Sequence, residues 1–323
     1  MRKGIALEFW DRSEYLGINN KKYQNYVNKL INEKLQEDAS DEDVTTNSLI
    51  NKNKNIKAVI IAKQDGIIAG LDEISLILKD KKIKINKNKN DGDKIKNNGI
   101  ILEIYGNARK ILAYERTLLN ILQRMSGIAT LTNNTKKLIK NNCFISATRK
   151  TLFPLIDKKA VSIGGGLTHR LNLNDSILIK DNHLRLLNDN IEKALKLANK
   201  SNKTKYAEIE VKNEKEALEA TRAIYSLKSK KLFAIMFDNM EASMIKDTIK
   251  KINNMLNINN KPNEKLKNKN DDKHNKRIIL FEASGNINEK NILEYSKTGV
   301  DVISLGFLTH SAKAFDISLD IKK

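Results

Sequence analysis

Basic residues are concentrated between positions 149 and 180, in a pattern typical of an anion-binding site. The set comprises Arg149, Lys150, His169, Arg170 and Lys180. Arginine can make bidentate contacts with carboxylate or phosphate, and lysine supplies a compact charge. Arg170 also follows the glycine run 164–166, where the backbone can approach a ligand closely. The cluster favours a ligand with several negative charges, because such a ligand would relieve the repulsion among the cations.

Two acidic residues, Glu210 and Asp238, follow apolar runs and are candidates for contacting a metal ion or a sugar. Two carboxylates opposite a basic pocket suit Mg²⁺ or sugar hydroxyls. They could also stabilise the positive charge that develops on a ribose ring during glycosyl transfer. Structural salt bridges are the alternative interpretation of these two residues.

Phosphate binding is one interpretation of the small-residue turn Ser284-Gly285-Asn286. The turn precedes a helix that we expect to begin near Asn288, and backbone N–H groups at a helix N-terminus bind phosphate well. An ordinary helix-capping turn is the alternative. Two histidines are further candidates: His169, beside Arg170, favours anion contact, and His183 is either an acid–base group or a residue that stabilises the strand end.

The elements that must position these residues alternate between apolar runs and helical patterns. Six runs predict strands: Phe144–Ala147, Ser176–Ile179, Ala207–Val211, Leu232–Phe237, Ile278–Phe281 and Asp301–Leu305. Helical spacing predicts helices at Glu115–Leu131, Leu187–Ala198, Lys215–Tyr225, Glu241–Met255 and Asn288–Lys297. Alternation of this kind indicates parallel strands with crossover helices, and we expect a β/α barrel. Nearly every strand end carries charge, a hydroxyl or glycine, as expected for an active site at the carboxyl ends of barrel strands.

Residues 1–114 differ from the rest, because they mix helix and strand signals. We expect a separate α+β domain over 1–114, with the C-terminal segment 307–323 packing on it, and a catalytic barrel over 115–306. Two Asn/Lys-rich tracts, 81–98 and 257–277, are predicted to be surface loops.

The chain has 59 basic and 39 acidic residues, a formal net charge of +20. Much of this excess is lysine scattered among asparagines, which is typical of a solvated surface. A single cysteine, Cys143, excludes an intrachain disulfide and fits a reducing cytoplasm. No apolar run is long enough for a signal peptide or a membrane span. We therefore expect a cytoplasmic protein that binds neither membrane nor nucleic acid, since aromatic residues do not interleave with the basic tracts.

Several motifs in a fixed order resemble the quinolinate phosphoribosyltransferase family. They cover about residues 33–312 and include Thr148-Arg-Lys-Thr151, Gly164-Gly-Gly-Leu-Thr-His169-Arg170, Ile179-Lys-Asp-Asn-His183, Glu208-Ile-Glu210, Phe237-Asp238-Asn239, Glu282-Ala-Ser-Gly-Asn286 and Ser304-Leu-Gly306. The resemblance implies an α/β fold, in which an N-terminal α/β sandwich precedes an incomplete parallel β/α barrel. It also implies a homodimer or higher assembly with shared active sites.

The reaction implied by the resemblance joins quinolinate to phosphoribosyl pyrophosphate and requires Mg²⁺. Its products are nicotinate mononucleotide, pyrophosphate and CO₂. By motif match, the quinolinate carboxylates are held by Arg116, Arg149, His169, Arg170 and Lys180, and Thr148 is a further substrate-binding residue. Lys150 reaches both substrates, and Glu210 and Asp238 face the ribose and the metal, which is held mainly through the substrate. The 5′-phosphate is bound by Ser284, Gly285, Asn286 and Gly306. Lys150, Lys180, Glu210 and Asp238 are the expected catalytic residues, and the residue matching Arg116 enters the partner's site.

The segment Leu152–Lys159 departs from the family pattern, which commonly has a Thr-Pro-Gly-Leu-Arg-like stretch there. The basic residue of that stretch is shifted or missing, and Lys158 or Lys159 is the candidate replacement. Two other functions stay open. One is a paralogous phosphoribosyltransferase of the molybdenum-transport-associated type, which typically lacks the segment at 179–183. The other is an RNA-binding protein on a barrel scaffold, whose binding would fall steeply with salt.

Overall fold

The computed structural model describes residues 1–38, 43–259 and 278–322, with side chains described up to residue 256 in the helix that ends at Asn259. The helices are α1 Arg2–Trp10, α2 Lys21–Asp38, α3 Val44–Leu49, α4 Leu71–Asp80, α5 Ala108–Leu138, α6 Pro154–Ile163, α7 Asp181–Arg185, α8 Ile191–Lys200, α9 Glu214–Ser226, α10 Ala242–Asn259, α11 Ile292–Tyr295 and α12 Phe307–His310. The strands are β1 Asn55–Ala62, β2 Gly66–Ile67, β3 Lys84–Lys87, β4 Lys94–Ile95, β5 Ile100–Asn107, β6 Phe144–Ser146, β7 Ile177–Ile179, β8 Tyr206–Val211, β9 Leu232–Asp238, β10 Ile279–Ser284, β11 Val302–Ser304 and β12 Ile317–Lys322.

The chain divides into two compact units. The barrel unit comprises Met1–Asp11, Leu138–Ser146 and Asn172–Leu305. The sandwich unit comprises Arg12–Lys137, Ala147–Leu171 and Gly306–Lys323. Helix α5 continues through residue 114, and the domain boundary placed there stays a prediction.

A six-stranded parallel sheet, in the order β6-β11-β10-β9-β8-β7, forms the framework of the barrel unit. All six predicted strands are confirmed within two or three residues. The central strands are buried almost throughout, as in β10 and β9, because crossover helices cover parallel sheets. Strands β6 and β7 are the two edges among the described strands, so the sheet is an incomplete barrel.

Helix α1 packs at the amino ends of these strands. The Arg2 guanidinium contacts both carboxylate oxygens of Asp301, just before β11, at 2.6 and 2.7 Å. It also donates to the carbonyl of Ile279 at the start of β10. Phe9 is buried with its ring edge against Tyr206, the first residue of β8. The first turns of the sequence therefore form part of the barrel unit.

An antiparallel sheet in the order β12-β1-β5-β3 forms the framework of the sandwich unit. Strand β12 pairs with β1 over six residues, so the C-terminal segment completes this sheet. The α+β character predicted from the mixed patterns is confirmed. No helix in the described part of the chain is long and apolar enough to cross a membrane.

The polar tract 81–98 was wrongly predicted to be a loop. It contains β3, which pairs with β5, and β4, which pairs with β2. Ile83 and Ile95 are buried, and these isolated apolar residues hold the two short strands against the core. In the second tract, 257–277, the first three residues end α10 and the others lie outside the described residues.

A buried network of charged and hydroxyl groups joins α2, α4 and α6 in the sandwich unit. Glu73 is fully buried, and the same carboxylate oxygen accepts from the Tyr23 hydroxyl and the Lys159 ammonium, both at 2.7 Å. The Lys159 ammonium lies 3.7 Å from the carboxylates of Asp72 and Asp91. Burial alone would lower the pKa of Lys159, but the carboxylates raise it above its usual value.

The raised pKa of Asp91 makes the contribution of this network to stability depend on pH. Burial and nearby Glu73 raise this pKa to about 6, although Lys159 opposes the shift. The folded state therefore holds the Asp91 proton more tightly than the unfolded chain, where the pKa is ~3.9. The stabilising contribution of this group is full below about pH 4 and is lost as pH rises through about 6.

We expect Asp91→Asn to flatten the pH dependence of stability between pH 4 and 6.5. The amide oxygen can still accept from the backbone N–H of Leu71, as the carboxylate does at 2.8 Å. Urea unfolding at closely spaced pH values should therefore show a smaller fall in the free energy of unfolding than in the wild-type protein. Parallel curves for the two proteins would contradict this assignment.

Candidate active site

Four candidate residues lie at the carboxyl ends of neighbouring strands in the barrel unit. Lys180 follows β7, Glu210 is next to last in β8, and Asp238 ends β9. Ser284 ends β10 and stands beside Asp238 in the parallel register. The pairing of parallel strands therefore brings these side chains to one edge of the sheet, as the sequence predicts.

An ion pair links Lys180 to Glu210, with 2.5 Å between the ammonium nitrogen and a carboxylate oxygen. Burial is the main cause of a raised Glu210 pKa, and nearby Asp238 and Glu282 raise it further, whereas Lys180 lowers it. Glu210 also lines a cleft of about 300 Å³, together with Asp181, Lys212 and Glu216. A half-buried carboxylate with acidic neighbours is therefore accessible from solvent and partly neutralised by one lysine.

A close cluster of Asn239, Gly285 and Asn286 connects the ends of β9 and β10. The Asn239 N–H donates to the Ser284 carbonyl at 2.9 Å, and the Asn286 amide donates to the Asn239 side chain at 3.0 Å. All three residues have positive φ angles. A side chain at Gly285 would place its Cβ 2.2 Å from the Asn239 amide oxygen, so only glycine fits here.

The helix expected to begin near Asn288 was wrongly placed. Helix α11 begins at Ile292 and has only four residues. The Asn291 side chain instead accepts from the N–H of Asn288 and donates to the carbonyl of Asn286, which closes a turn. Any phosphate contact at 284–286 would therefore come from the loop itself.

The histidine at 183 has a structural role. Its Nδ1 accepts the backbone N–H of Lys180 at 2.9 Å, at the start of α7. Of the two interpretations left open by the sequence, the structure favours stabilisation of the strand end. Lys180 is thereby fixed at its backbone by His183 and at its side chain by Glu210.

The other candidate residues lie in the sandwich unit. Arg149 and Lys150 are exposed, and the hydroxyl of half-buried Thr148 accepts the N–H of Lys150 at 3.1 Å. The Lys150 carbonyl accepts from the Thr309 hydroxyl at 2.8 Å. Gly306 lies against the Lys150 side chain, since an added Cβ would be 3.2 Å from the lysine Cδ. The structure thus brings the loop 148–150 and Gly306 together.

The turn 168–170 carries the remaining basic pair in this unit. His169 and Arg170 are buried, and His169 has a φ angle of 52°. Its Nδ1 accepts the backbone N–H of Arg170 at 2.9 Å. Arg116 is exposed on α5, and its neighbour Thr117 faces the core.

The structure does not support Lys158 or Lys159 as a replacement for the basic residue of the departing segment. Lys158 is fully buried and donates to the backbone carbonyls of Thr168 and Arg170. Lys159 is held by Glu73. Sequence reasoning also missed Asn239 as the partner of Asn286, and the influence of Glu282 on Glu210. The available signal for Glu282 was its position as an acidic residue within the otherwise apolar part of β10.

Two family models match this chain in succession. The Quinolinate phosphoribosyl transferase, N-terminal domain, matches residues 43–126, and the Quinolinate phosphoribosyl transferase, C-terminal domain, matches residues 128–320. Together they span most of the chain.

Curated relatives and solved structures agree with these matches. A probable nicotinate-nucleotide pyrophosphorylase [carboxylating] from Methanocaldococcus jannaschii is 40% identical over 306 residues, covering 92% of this chain and 98% of the relative. A protein of the same description from Bacillus subtilis is 33% identical over 300 residues, covering 91% and 93%.

The fold is similar to the nicotinate-nucleotide pyrophosphorylase of Francisella tularensis, with a TM-score of 0.75 and 34% identity over 92% of this chain and 96% of the other. It is equally similar to NadC from Streptococcus pyogenes, with a TM-score of 0.77 and 30% identity over 92% and 97% of the chains. Two family models match in succession over most of the chain, and a relative 40% identical covers 92% of it, so the chain belongs to the quinolinate phosphoribosyl transferase family.

Proposed function

We propose that this protein transfers a phosphoribosyl group from phosphoribosyl pyrophosphate to quinolinate and releases CO₂, giving nicotinate mononucleotide and pyrophosphate for NAD biosynthesis. The family matches in both units support this reaction. The observation that carries it is the arrangement of Lys180, Glu210, Asp238 and Ser284 on one edge of the parallel sheet. This edge combines a cation and two acids next to a loop suited to phosphate.

Each group of residues has a part in the chemistry. In the transfer, the quinolinate nitrogen forms a bond to C1 of the ribose while the bond between C1 and the pyrophosphate oxygen breaks. Positive charge develops on the ribose ring. Glu210 and Asp238 would stabilise that charge, since carboxylates stabilise oxocarbenium-like states. Loss of CO₂ leaves an electron pair on the pyridinium ring, and a proton then replaces the carboxylate.

The basic residues are assigned to the quinolinate carboxylates. The set is Arg116, Arg149, His169, Arg170 and Lys180, with Lys150 reaching both substrates, and Thr148 is a further substrate-binding residue. Arg149 and Lys150 are exposed and therefore accessible to a ligand. Charge-assisted contacts of arginine with carboxylate are strong and directional, which suits a dicarboxylate. Ser284, Gly285, Asn286 and Gly306 are assigned to the 5′-phosphate.

Mg²⁺ is proposed as the cofactor. The donor set fits, because Glu210 and Asp238 offer the oxygen ligands that Mg²⁺ prefers, and the repulsion by which Asp238 raises the pKa of Glu210 would be relieved by a cation. The residues would hold the ion together with the substrate. When bound, it supplies charge neutralisation to the pyrophosphate leaving group. We also propose a cytoplasmic location, in keeping with the single buried thiol of Cys143.

The direct test is an assay of purified protein with quinolinate, phosphoribosyl pyrophosphate and Mg²⁺. We expect equal amounts of CO₂ and nicotinate mononucleotide. Arg149→Ala should raise the KM for quinolinate at least about tenfold, because it removes a charge-assisted contact. Arg222→Ala, an exposed arginine on α9, is the matched control and should behave like the wild-type protein. Turnover with a different acid, and none with quinolinate, would contradict this function and indicate a paralogous phosphoribosyltransferase instead.

Lys180→Met should raise the pKa of Glu210 further above its usual value, since Lys180 is the group that lowers it. Carboxyl-carbon NMR titration measures this, and the resonance is identified by its loss in Glu210→Gln. Glu210→Gln should also reduce kcat/KM by about a hundredfold, as expected for loss of a group that stabilises the transition state. An unchanged titration in Lys180→Met would show that the ion pair is not formed in solution.

The assembly is proposed to be a homodimer or higher oligomer with shared active sites, in which Arg116 serves the partner's site. Arg116→Ala and Lys180→Ala homodimers should each be nearly inactive. Mixing equal amounts should restore up to about a quarter of the wild-type activity of the whole sample, because about half of the dimers become mixed and each mixed dimer has one complete site of two. Absence of rescue, after subunit exchange has been demonstrated, would contradict sharing.

A further inference from the structure

Helix α6 carries two neighbouring residues of opposite charge, Asp157 and Lys158, and both side chains are fully buried. Buried charges of this kind are costly unless they are paired and hydrogen-bonded. Each of the two contacts a different segment of the sandwich unit. Those segments, 148–151 and 168–170, carry four of the basic residues assigned to substrate: Arg149, Lys150, His169 and Arg170.

Asp157 holds the first segment. Its carboxylate accepts from Nε and Nη2 of Arg124 on α5, at 2.7 and 2.6 Å. The hydroxyl of Thr151 donates to the same carboxylate. Because Thr151 directly follows Lys150, this contact fixes one end of the loop that carries Arg149 and Lys150.

Lys158 holds the second segment. Its ammonium donates to the carbonyl of Thr168 and, at 2.9 Å, to that of Arg170. These two carbonyls flank His169, whose φ of 52° lies in the left-handed region that non-glycine residues rarely adopt. The bridge therefore stabilises a backbone conformation that would otherwise be unfavourable.

We propose that Asp157 and Lys158 are positioning residues, which set the spacing between the Arg149-Lys150 loop and the His169-Arg170 turn from a single helix. In the proposed function, both segments would contact the carboxylates of the same dicarboxylate. The inference rests on the proposed function, and it assigns a purpose to the departing segment 152–159. That segment acts through the protein and need not touch the substrate.

The test compares Lys158→Met with Lys159→Met. Both changes remove a buried ammonium from adjacent positions of α6, but Lys159 contacts Glu73, Asp72 and Asp91, which are not assigned to substrate. Lys158→Met should raise the KM for quinolinate about tenfold or more and change the KM for phosphoribosyl pyrophosphate less than about threefold, as expected for loss of hydrogen bonds that hold one subsite. Lys159→Met should lower the unfolding midpoint in urea without altering the ratio of the two KM values.

Two further variants keep the proposal testable if Lys158→Met does not fold. Lys158→Arg retains donors and should restore the KM ratio toward the wild-type value. Thr151 is a half-buried loop residue, and Thr151→Val removes only the hydroxyl that donates a hydrogen bond to Asp157. This change should raise the KM for quinolinate about threefold. The ¹⁵N shifts of the His169 ring should also change in Lys158→Met, since its Nδ1 accepts a bond within the turn.

These measurements distinguish failure of the proposed function from failure of the positioning role. If the wild-type protein does not convert quinolinate, the proposed function fails. If it does, and the Lys158 and Lys159 variants change both KM values alike, or Thr151→Val leaves the KM for quinolinate unchanged, the positioning role is overturned.

Discussion

Parallel pairing in one six-stranded sheet is the constraint on which the catalytic features of the barrel unit depend. Parallel strands in register end at the same edge, so residues far apart in sequence become neighbours. Asp238 and Ser284 are partners in this register, and Glu210 stands one strand away. The long apolar strands serve mainly to fix the positions of the few polar residues at their ends. A shift of register would separate Glu210 and Asp238 from the loop 284–286, even with every side chain unchanged.

Charge in this protein acts in two different ways. The net charge of +20 comes mostly from lysines on the surface. The groups that matter for the proposed site are instead fixed by specific contacts. The Glu210 carboxylate holds Lys180, and the Lys158 ammonium holds the turn at His169 by donating to two backbone carbonyls. The Lys180 side chain is 45% exposed, whereas Lys158 is fully buried. Contacts of a buried charge specify geometry, because removing one partner leaves an unsatisfied group. The sandwich unit uses the same principle in the network around Glu73.

Much of the fold could be predicted from the sequence, because apolar runs and helical spacing are local signals. The six strands of the barrel unit and the long helix α5 follow directly from them. Strands β3 and β4 could not be predicted, since their few apolar residues lie in a polar tract and gain their order from pairing with β5 and β2. Helix α11 was overestimated because asparagine side chains at 288 and 291 form a turn that apolar spacing does not reveal.

The candidate residues were identified by their type and their place after strands, which a sequence displays. The residues that hold these candidates in place could not be identified from the sequence. Contacts such as those of Lys158 with the carbonyls of Thr168 and Arg170 depend on how a helix packs against a turn. A lysine near a substrate and a lysine inside the protein look the same in a sequence. Only burial separates them, and burial is a property of the fold.

The pairing of β12 with β1 has a consequence for how the chain is made. Strand β1 emerges from the ribosome long before β12, and all six strands of the parallel sheet are synthesised between them. The edge of β1 that pairs with β12 therefore stays unpaired until β12 has been synthesised, by which time most of the barrel unit is already available to fold. Contacts between residues so distant in sequence slow folding, and an exposed strand edge invites wrong pairing. The N-terminal part of the sandwich is therefore the region in which a chaperone would be most useful during synthesis.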